Sequence, residues 1–118
     1  MSWIRIGSLG SVPARGARVL ELGGVDIAVF RTGDNRVFAL RDRCPHRGGP
    51  LSQGIVHGAR VTCPLHDWVI DLASGEATGA DRGCTLTFAV RIDDGEVFVD
   101  VPEHPAQLPS ERLLAEPA

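Results

Sequence analysis

Long apolar runs are missing from this chain of 118 residues. A membrane-spanning helix needs about 20 consecutive apolar residues, and no stretch comes near that length. Residues 1–5 show neither the apolar core nor the small-residue cleavage site of a signal peptide. We therefore expect the protein to be cytoplasmic and to have no membrane partner.

A strong excess of one charge is also missing. Lysine and arginine number 12 against 15 aspartates and glutamates, which gives a net charge of −3. That imbalance is too small to indicate nucleic acid or an anionic surface as a partner.

Cysteine is scarce, with three in the chain, and an intracellular protein does not normally keep a structural disulfide. We therefore expect the cysteines to serve in metal chemistry or in packing.

Helical periodicity is lacking as well, except within residues 107–115. Fourteen glycines and eight prolines are spread along the chain, and short apolar segments separated by turn residues are typical of β-structure. The predicted strands cover residues 18–22, 25–30, 36–40, 59–62, 68–72, 85–92 and 96–101. The sequence therefore predicts an all-β protein with a compact, turn-rich segment inserted at about residues 41–83.

Two short cysteine–histidine motifs lie in that turn-rich segment. They are Cys44-Pro45-His46 and Cys63-Pro64-Leu65-His66, with the sixteen residues 47–62 between them. This separation allows two loops to face each other, so that two thiolates and two imidazoles meet at one site. Such a mixture of ligands suits zinc or an iron–sulfur cluster. The candidate metal ligands are Cys44, His46, Cys63 and His66.

The spacing within the motifs bears on which metal is bound. Zinc sites typically pair cysteine with cysteine and histidine with histidine, two to five residues apart. Here each motif is mixed, and the first has a single intervening residue. In a Rieske centre one iron takes two cysteines and the other takes two histidines. The spacing favours the cluster, and a zinc-stabilised interaction module without a redox role is the alternative.

The two motifs resemble those of the Rieske family. This resemblance implies a β-sandwich base with a small cluster-binding subdomain, and a Rieske-type 2Fe-2S cluster as cofactor. We expect one Rieske domain at residues 1–105, with the cluster-binding subdomain at about 41–83 and a C-terminal tail at 106–118. Rieske ferredoxins often have a proline in a third loop near the cluster, whereas residues 77–84 of this chain have none.

A narrower resemblance covers residues 43–56, 63–72, 74–77 and 83–85, and less specifically residues 3–7. These segments are similar to the small subunit of assimilatory NAD(P)H nitrite reductase. The resemblance implies a large partner subunit that carries flavin, a 4Fe-4S cluster and siroheme and reduces nitrite to ammonium in nitrate assimilation. This chain would then transfer electrons rather than catalyse the reaction alone.

A free Rieske ferredoxin that supplies an aromatic-ring dioxygenase is the alternative within the same class, because it would have the same cluster and fold.

Three further residues that could bind metal are expected to have no such role. Cys84 is expected to be a small buried packing residue, and His57 and His104 are expected to be solvated rather than to bind metal.

Overall fold

The computed structural model describes residues 2–22, 25–44, 49–64, 67–78 and 83–101. These residues form ten β-strands and two single-turn 3-10 helices, which confirms the all-β prediction. The strands are β1 Ser2–Ser8, β2 Gly16–Leu22, β3 Val25–Arg31, β4 Val37–Arg41, β5 Ile55–His57, β6 Arg60–Thr62, β7 Val69–Asp71, β8 Thr87–Phe88, β9 Val90–Asp93 and β10 Glu96–Val101. The 3-10 turns are Leu9–Ser11 and Leu51–Gln53.

The strands form three antiparallel sheets. Sheet A has the order β1-β10-β9, sheet B has β2-β3-β4-β8, and sheet C has β5-β6-β7. Sheets A and B share one buried apolar cluster, which we call the base core. Sheet C and the loops beside it share a second cluster with the other face of sheet B, which we call the loop core. Sheet B is therefore the middle layer.

Strand β3 shows why sheet B can be the middle layer. Side chains of a strand alternate between its two faces. Ile27 and Val29 pack into the base core, while Ala28 and Phe30 pack into the loop core. All four are fully buried. The strand is therefore apolar at consecutive positions, as expected where both faces of a sheet are covered.

The strands predicted at residues 18–22 and 25–30 are confirmed, and they pair with each other as the hairpin β2–β3. The single strand predicted at residues 85–92 is wrong. Strand β8 pairs with β4 in sheet B, whereas β9 pairs with β10 in sheet A, and the chain changes sheets at Ala89. A run of apolar residues does not reveal this change, because Phe88 of β8 and Val90 of β9 both pack against the base core.

His57 lies at the end of a strand. It is the last residue of β5 and pairs with Arg60 across the β5–β6 hairpin. The turn comes one residue later, where Gly58 has a φ of 60°.

Within the described ranges, no helix is long and apolar enough to span a membrane. The predicted tail at residues 106–118 lies outside the described residues.

Candidate metal centre

The two cysteines of the candidate site begin two loops that are closed in the same way. Cys44 follows strand β4, and its backbone N–H donates to the Gly49 carbonyl at 2.8 Å. Cys63 follows strand β6 directly, and its N–H donates to the Trp68 carbonyl at 2.7 Å. In each loop the acceptor lies five residues after the cysteine. The predicted ligands His46 and His66 fall within these two loops and lie outside the described residues.

Both cysteine side chains lie in the loop core. Cys44 is 1% exposed and Cys63 is 0% exposed, and they share one apolar cluster with Leu51 and Ile70. The three cysteines of the chain, all described, form no disulfide. A buried thiolate is costly unless a positive charge compensates it. Two cysteines on matched loops in one apolar cluster therefore fit a metal group that binds them as thiolates.

The first loop is fastened at its base by Asp42, two residues before Cys44. The Asp42 carboxylate accepts hydrogen bonds from the Ser52 backbone N–H and from the Ser52 hydroxyl, each at 2.7 Å. Ser52 lies in the second 3-10 turn, whose first residue, Leu51, is fully buried. These contacts tie the chain before Cys44 to the chain after Gly49.

The second loop is fixed by a close approach of backbone to backbone. A Cβ atom on Gly54 would lie 2.2 Å from the carbonyl oxygen of Thr62, the residue before Cys63. Glycine is therefore required here for steric reasons, because the chain leaving the first loop runs against the strand that leads into the second. Asp67 has a φ of 56° within the second loop, and Trp68 packs against the loop core.

A third loop, at residues 77–84, stands on strand β7. The Thr78 N–H donates to the Val69 carbonyl at 2.8 Å, and the Ala77 N–H donates to the Gly83 carbonyl at 2.8 Å. Ala77 also packs against the loop core. The base of this loop is therefore attached to the strand that follows the second motif, while residues 79–82 lie outside the described ranges.

Cys84 and His57 take no part in the two cysteine loops. Cys84 is partly exposed at the base of the third loop, and burial together with the nearby charge of Glu76 raises the pKa of its thiol. The exposed His57 ring forms a hydrogen bond between Nε2 and the Thr62 hydroxyl at 2.7 Å. His104 lies outside the described residues.

The sequence alone did not indicate a role for Asp42, Ser52 or Gly54, because such residues are common in turns and carry no distinctive spacing.

The comparisons with known proteins identify the family. The sequence pattern of the Rieske [2Fe-2S] domain matches residues 2–88. The chain therefore belongs to the Rieske [2Fe-2S] domain family, whose cofactor is a Rieske-type 2Fe-2S cluster. The matched cysteine loops fit this group, because in a Rieske centre one iron is bound by two thiolates. The general role of the cluster in such domains is electron transfer.

Relatives of two sizes share this domain. The chain is 36% identical over 104 residues to the anthranilate 1,2-dioxygenase ferredoxin subunit of Burkholderia cepacia, covering 84% of this chain and 92% of that protein. It is 39% identical over 69 residues to the 4beta-methylsterol monooxygenase of Methylococcus capsulatus. That match covers 58% of this chain and only 19% of the longer protein.

A solved structure shows the same fold. It is a protein proposed to be the small subunit of an NADH-dependent nitrite reductase from Mycobacterium tuberculosis. The TM-score is 0.76 at 22% identity, with 86% of this chain and 96% of that chain covered. At this identity the likeness establishes the fold alone.

Proposed function

We propose that Cys44 and Cys63 bind one iron of the cluster and that His46 and His66 bind the other. The observation that carries this proposal is the equal closure of the two loops around each motif, with both cysteines buried in one core. The cluster supplies one-electron redox chemistry. Two neutral imidazoles in place of two thiolates reduce the negative charge at one iron, so that the cluster accepts an electron more readily than an all-cysteine cluster does.

The ligand assignment is tested by mutation and absorption spectroscopy. Cys44→Ser and His66→Ala should each abolish the reddish-brown colour, because loss of a ligand exposes the cluster to hydrolysis. His57→Ala is the matched control, since His57 is exposed and bonds to Thr62, and it should leave the visible spectrum unchanged. Retained colour in either ligand variant would contradict the assignment. A colourless wild-type protein that contains one zinc would support the interaction module instead.

For the partner, we propose the large subunit of an assimilatory NAD(P)H nitrite reductase, with this chain as its electron-transferring small subunit. The support is the similarity of residues 43–56, 63–72, 74–77 and 83–85 to that subunit. These segments extend well beyond the four ligands, into the second 3-10 turn, strand β7 and the base of the third loop. The proposal implies a complex containing flavin, a 4Fe-4S cluster and siroheme.

A free ferredoxin that supplies a ring-hydroxylating dioxygenase is the second candidate. The relative of similar length favours it, because the Burkholderia cepacia dioxygenase ferredoxin aligns over 92% of its own length at 36% identity. Both candidates use the same cluster and the same electron chemistry. They differ in the protein that docks on the cluster loops.

Co-purification from the native host distinguishes the two partners. The tagged chain would be isolated gently from cells grown on nitrate, and the absorption spectrum of the bound material recorded. A large subunit with siroheme and flavin bands, active with NAD(P)H and nitrite, would support the nitrite reductase. A chain that emerges alone, is reduced by a ferredoxin reductase and supports turnover of a dioxygenase would contradict it and support the free ferredoxin.

A further inference from the structure

Asp42 links the two ends of the first cysteine loop. Its two carboxylate oxygens accept separate hydrogen bonds from one residue, Ser52, at the backbone N–H and at the hydroxyl. Hydrogen bonds to a charged carboxylate are roughly twice as strong as neutral ones. Because Cys44 and Gly49 lie between the two partners in sequence, this contact closes a wider ring of chain around the hydrogen bond that closes the loop itself.

Asp42 is itself held by the sheet rather than by the loop. Its backbone N–H donates to the Asp26 carbonyl at 2.9 Å, one residue beyond the pairing of β4 with β3. The preceding residue, Arg41, donates its N–H to the Leu86 carbonyl at 2.9 Å. The carboxylate therefore extends from a fixed backbone position, and Ser52 is positioned relative to sheet B through it.

We propose that Asp42 is a positioning residue for the metal centre: it holds the Cys44 loop in its ligating shape before the cluster binds, and its negative charge lowers the reduction potential of the bound cluster. A loop that is ordered in advance loses less conformational entropy when the metal group binds. A fixed negative charge two residues before a cluster ligand would make addition of an electron less favourable, and because Asp42 is partly buried its charge is weakly screened by salt. The inference rests on the proposed ligation by Cys44.

The two roles can be separated by the choice of variant. Asp42→Asn has nearly the same shape and can still accept from the Ser52 N–H, but it carries no charge. Asp42→Ala removes both acceptors. Ser52→Ala removes the hydroxyl bond and keeps the backbone bond, whereas Ser52→Thr keeps both groups.

Asp34 provides a matched control at the opposite end of the same strand. It lies in the turn before β4, accepts from the Thr32 hydroxyl, and pairs with Arg36 at 2.9 Å. Like Asp42 it accepts from a hydroxyl, while its second partner is a guanidinium, and both partners belong to the chain around the turn before β4 rather than to a cysteine loop. Asp34→Ala should lower thermal stability without changing the properties of the cluster.

The measurements are the rate of cluster loss to an iron chelator, the rate of chemical reconstitution of the apoprotein, and the midpoint potential. We expect Asp42→Ala to lose its cluster about tenfold faster than wild type, because two charge-assisted hydrogen bonds are removed. Ser52→Ala should show a smaller acceleration, and Ser52→Thr should restore the wild-type rate. Asp42→Asn should lose its cluster within about twofold of the wild-type rate, while its midpoint potential shifts upward.

The proposal is overturned if Asp42→Ala matches Asp34→Ala in both cluster loss and potential. If Asp42→Ala does not fold, Ser52→Ala and Asp42→Asn decide, since both keep the backbone bond; wild-type values in both would overturn the proposal. Failure of the ligand assignment has a different signature. In that case Cys44→Ser would keep its cluster, whatever the Asp42 variants do.

Discussion

Cys84 lies in a different environment from Cys44 and Cys63, which are both buried. Its backbone forms an isolated bridge with Glu76 at the base of the third loop. Burial is the larger cause of its raised thiol pKa, and the negative charge of Glu76 is the second. Both effects disfavour the thiolate, so this thiol stays protonated at neutral pH and reacts slowly. The thiol is partly exposed and belongs to neither of the two described apolar clusters, so the expectation of a buried packing residue is not met.

We therefore predict that Cys84 in the cluster-loaded protein is alkylated by iodoacetamide only as the pH rises above the usual thiol range. Glu76→Gln should lower the pKa of Cys84 and increase the alkylation rate at a fixed alkaline pH, because one of the two causes of the shift is removed. The measurement is mass spectrometry of the modified peptide across a pH series. An unchanged or slower rate in Glu76→Gln would contradict the assigned role of the carboxylate.

At the scale of elements, Gly54 joins the first loop to the strand that leads into the second. Its φ is ordinary, so glycine is needed for space rather than for backbone freedom. The carbonyl of Thr62, a Cγ of Val61 and the carbonyl of Leu51 all surround the position that a Cβ would take. Backbone atoms cannot rotate away, so any side chain here must separate the two elements.

We predict that Gly54→Ala destabilises the protein by about 3 kcal/mol, at the upper end of overpacking costs, and accelerates cluster loss. Gly10→Ala is the control, because no atom lies within 4 Å of its added Cβ and its φ is unremarkable. Its effect should stay within about 0.5 kcal/mol. Denaturant unfolding of both variants checks this, and equal stability of the two would show that the loop and the strand separate at little cost.

The elements also show which features a sequence can predict. Adjacent strands with a tight turn, such as β2 and β3, are predictable because their pairing is local. The cysteine–histidine motifs are predictable because these residue types are rare and their spacing is distinctive, although the ligand assignment itself stays a prediction. The sheet change at Ala89 and the Asp42–Ser52 contact depend on which distant chain lies alongside, and no local pattern encodes that.

For the molecule as a whole, the division into two cores has energetic consequences. The base core contains no cysteine, whereas the loop core contains both Cys44 and Cys63. Sheet B stands between them and is anchored by both. The cluster should therefore stabilise mainly the loop core and sheet C, and the base should fold without it.

We predict that removal of the cluster reduces hydrogen-exchange protection at least about tenfold in β6 and β7 and leaves β3 and β10 within about twofold of the loaded protein. The reason is that regions with fewer buried contacts open locally at lower free energy. Amide exchange followed by mass spectrometry on loaded and chelated protein tests this. A uniform loss of protection over all three sheets would mean that the two cores unfold as one unit.

Sheet A has a further consequence, through its pairing of the first strand with the last. Ser2 stands opposite Val101, so the chain enters and leaves the domain at neighbouring points. These points lie on the layer farthest from the cysteine loops. Neighbouring entry and exit points at the surface favour insertion of a domain into another polypeptide. The architecture thus allows the domain to be joined to a longer polypeptide through sheet A, with the cysteine loops on the side of sheet B opposite to sheet A.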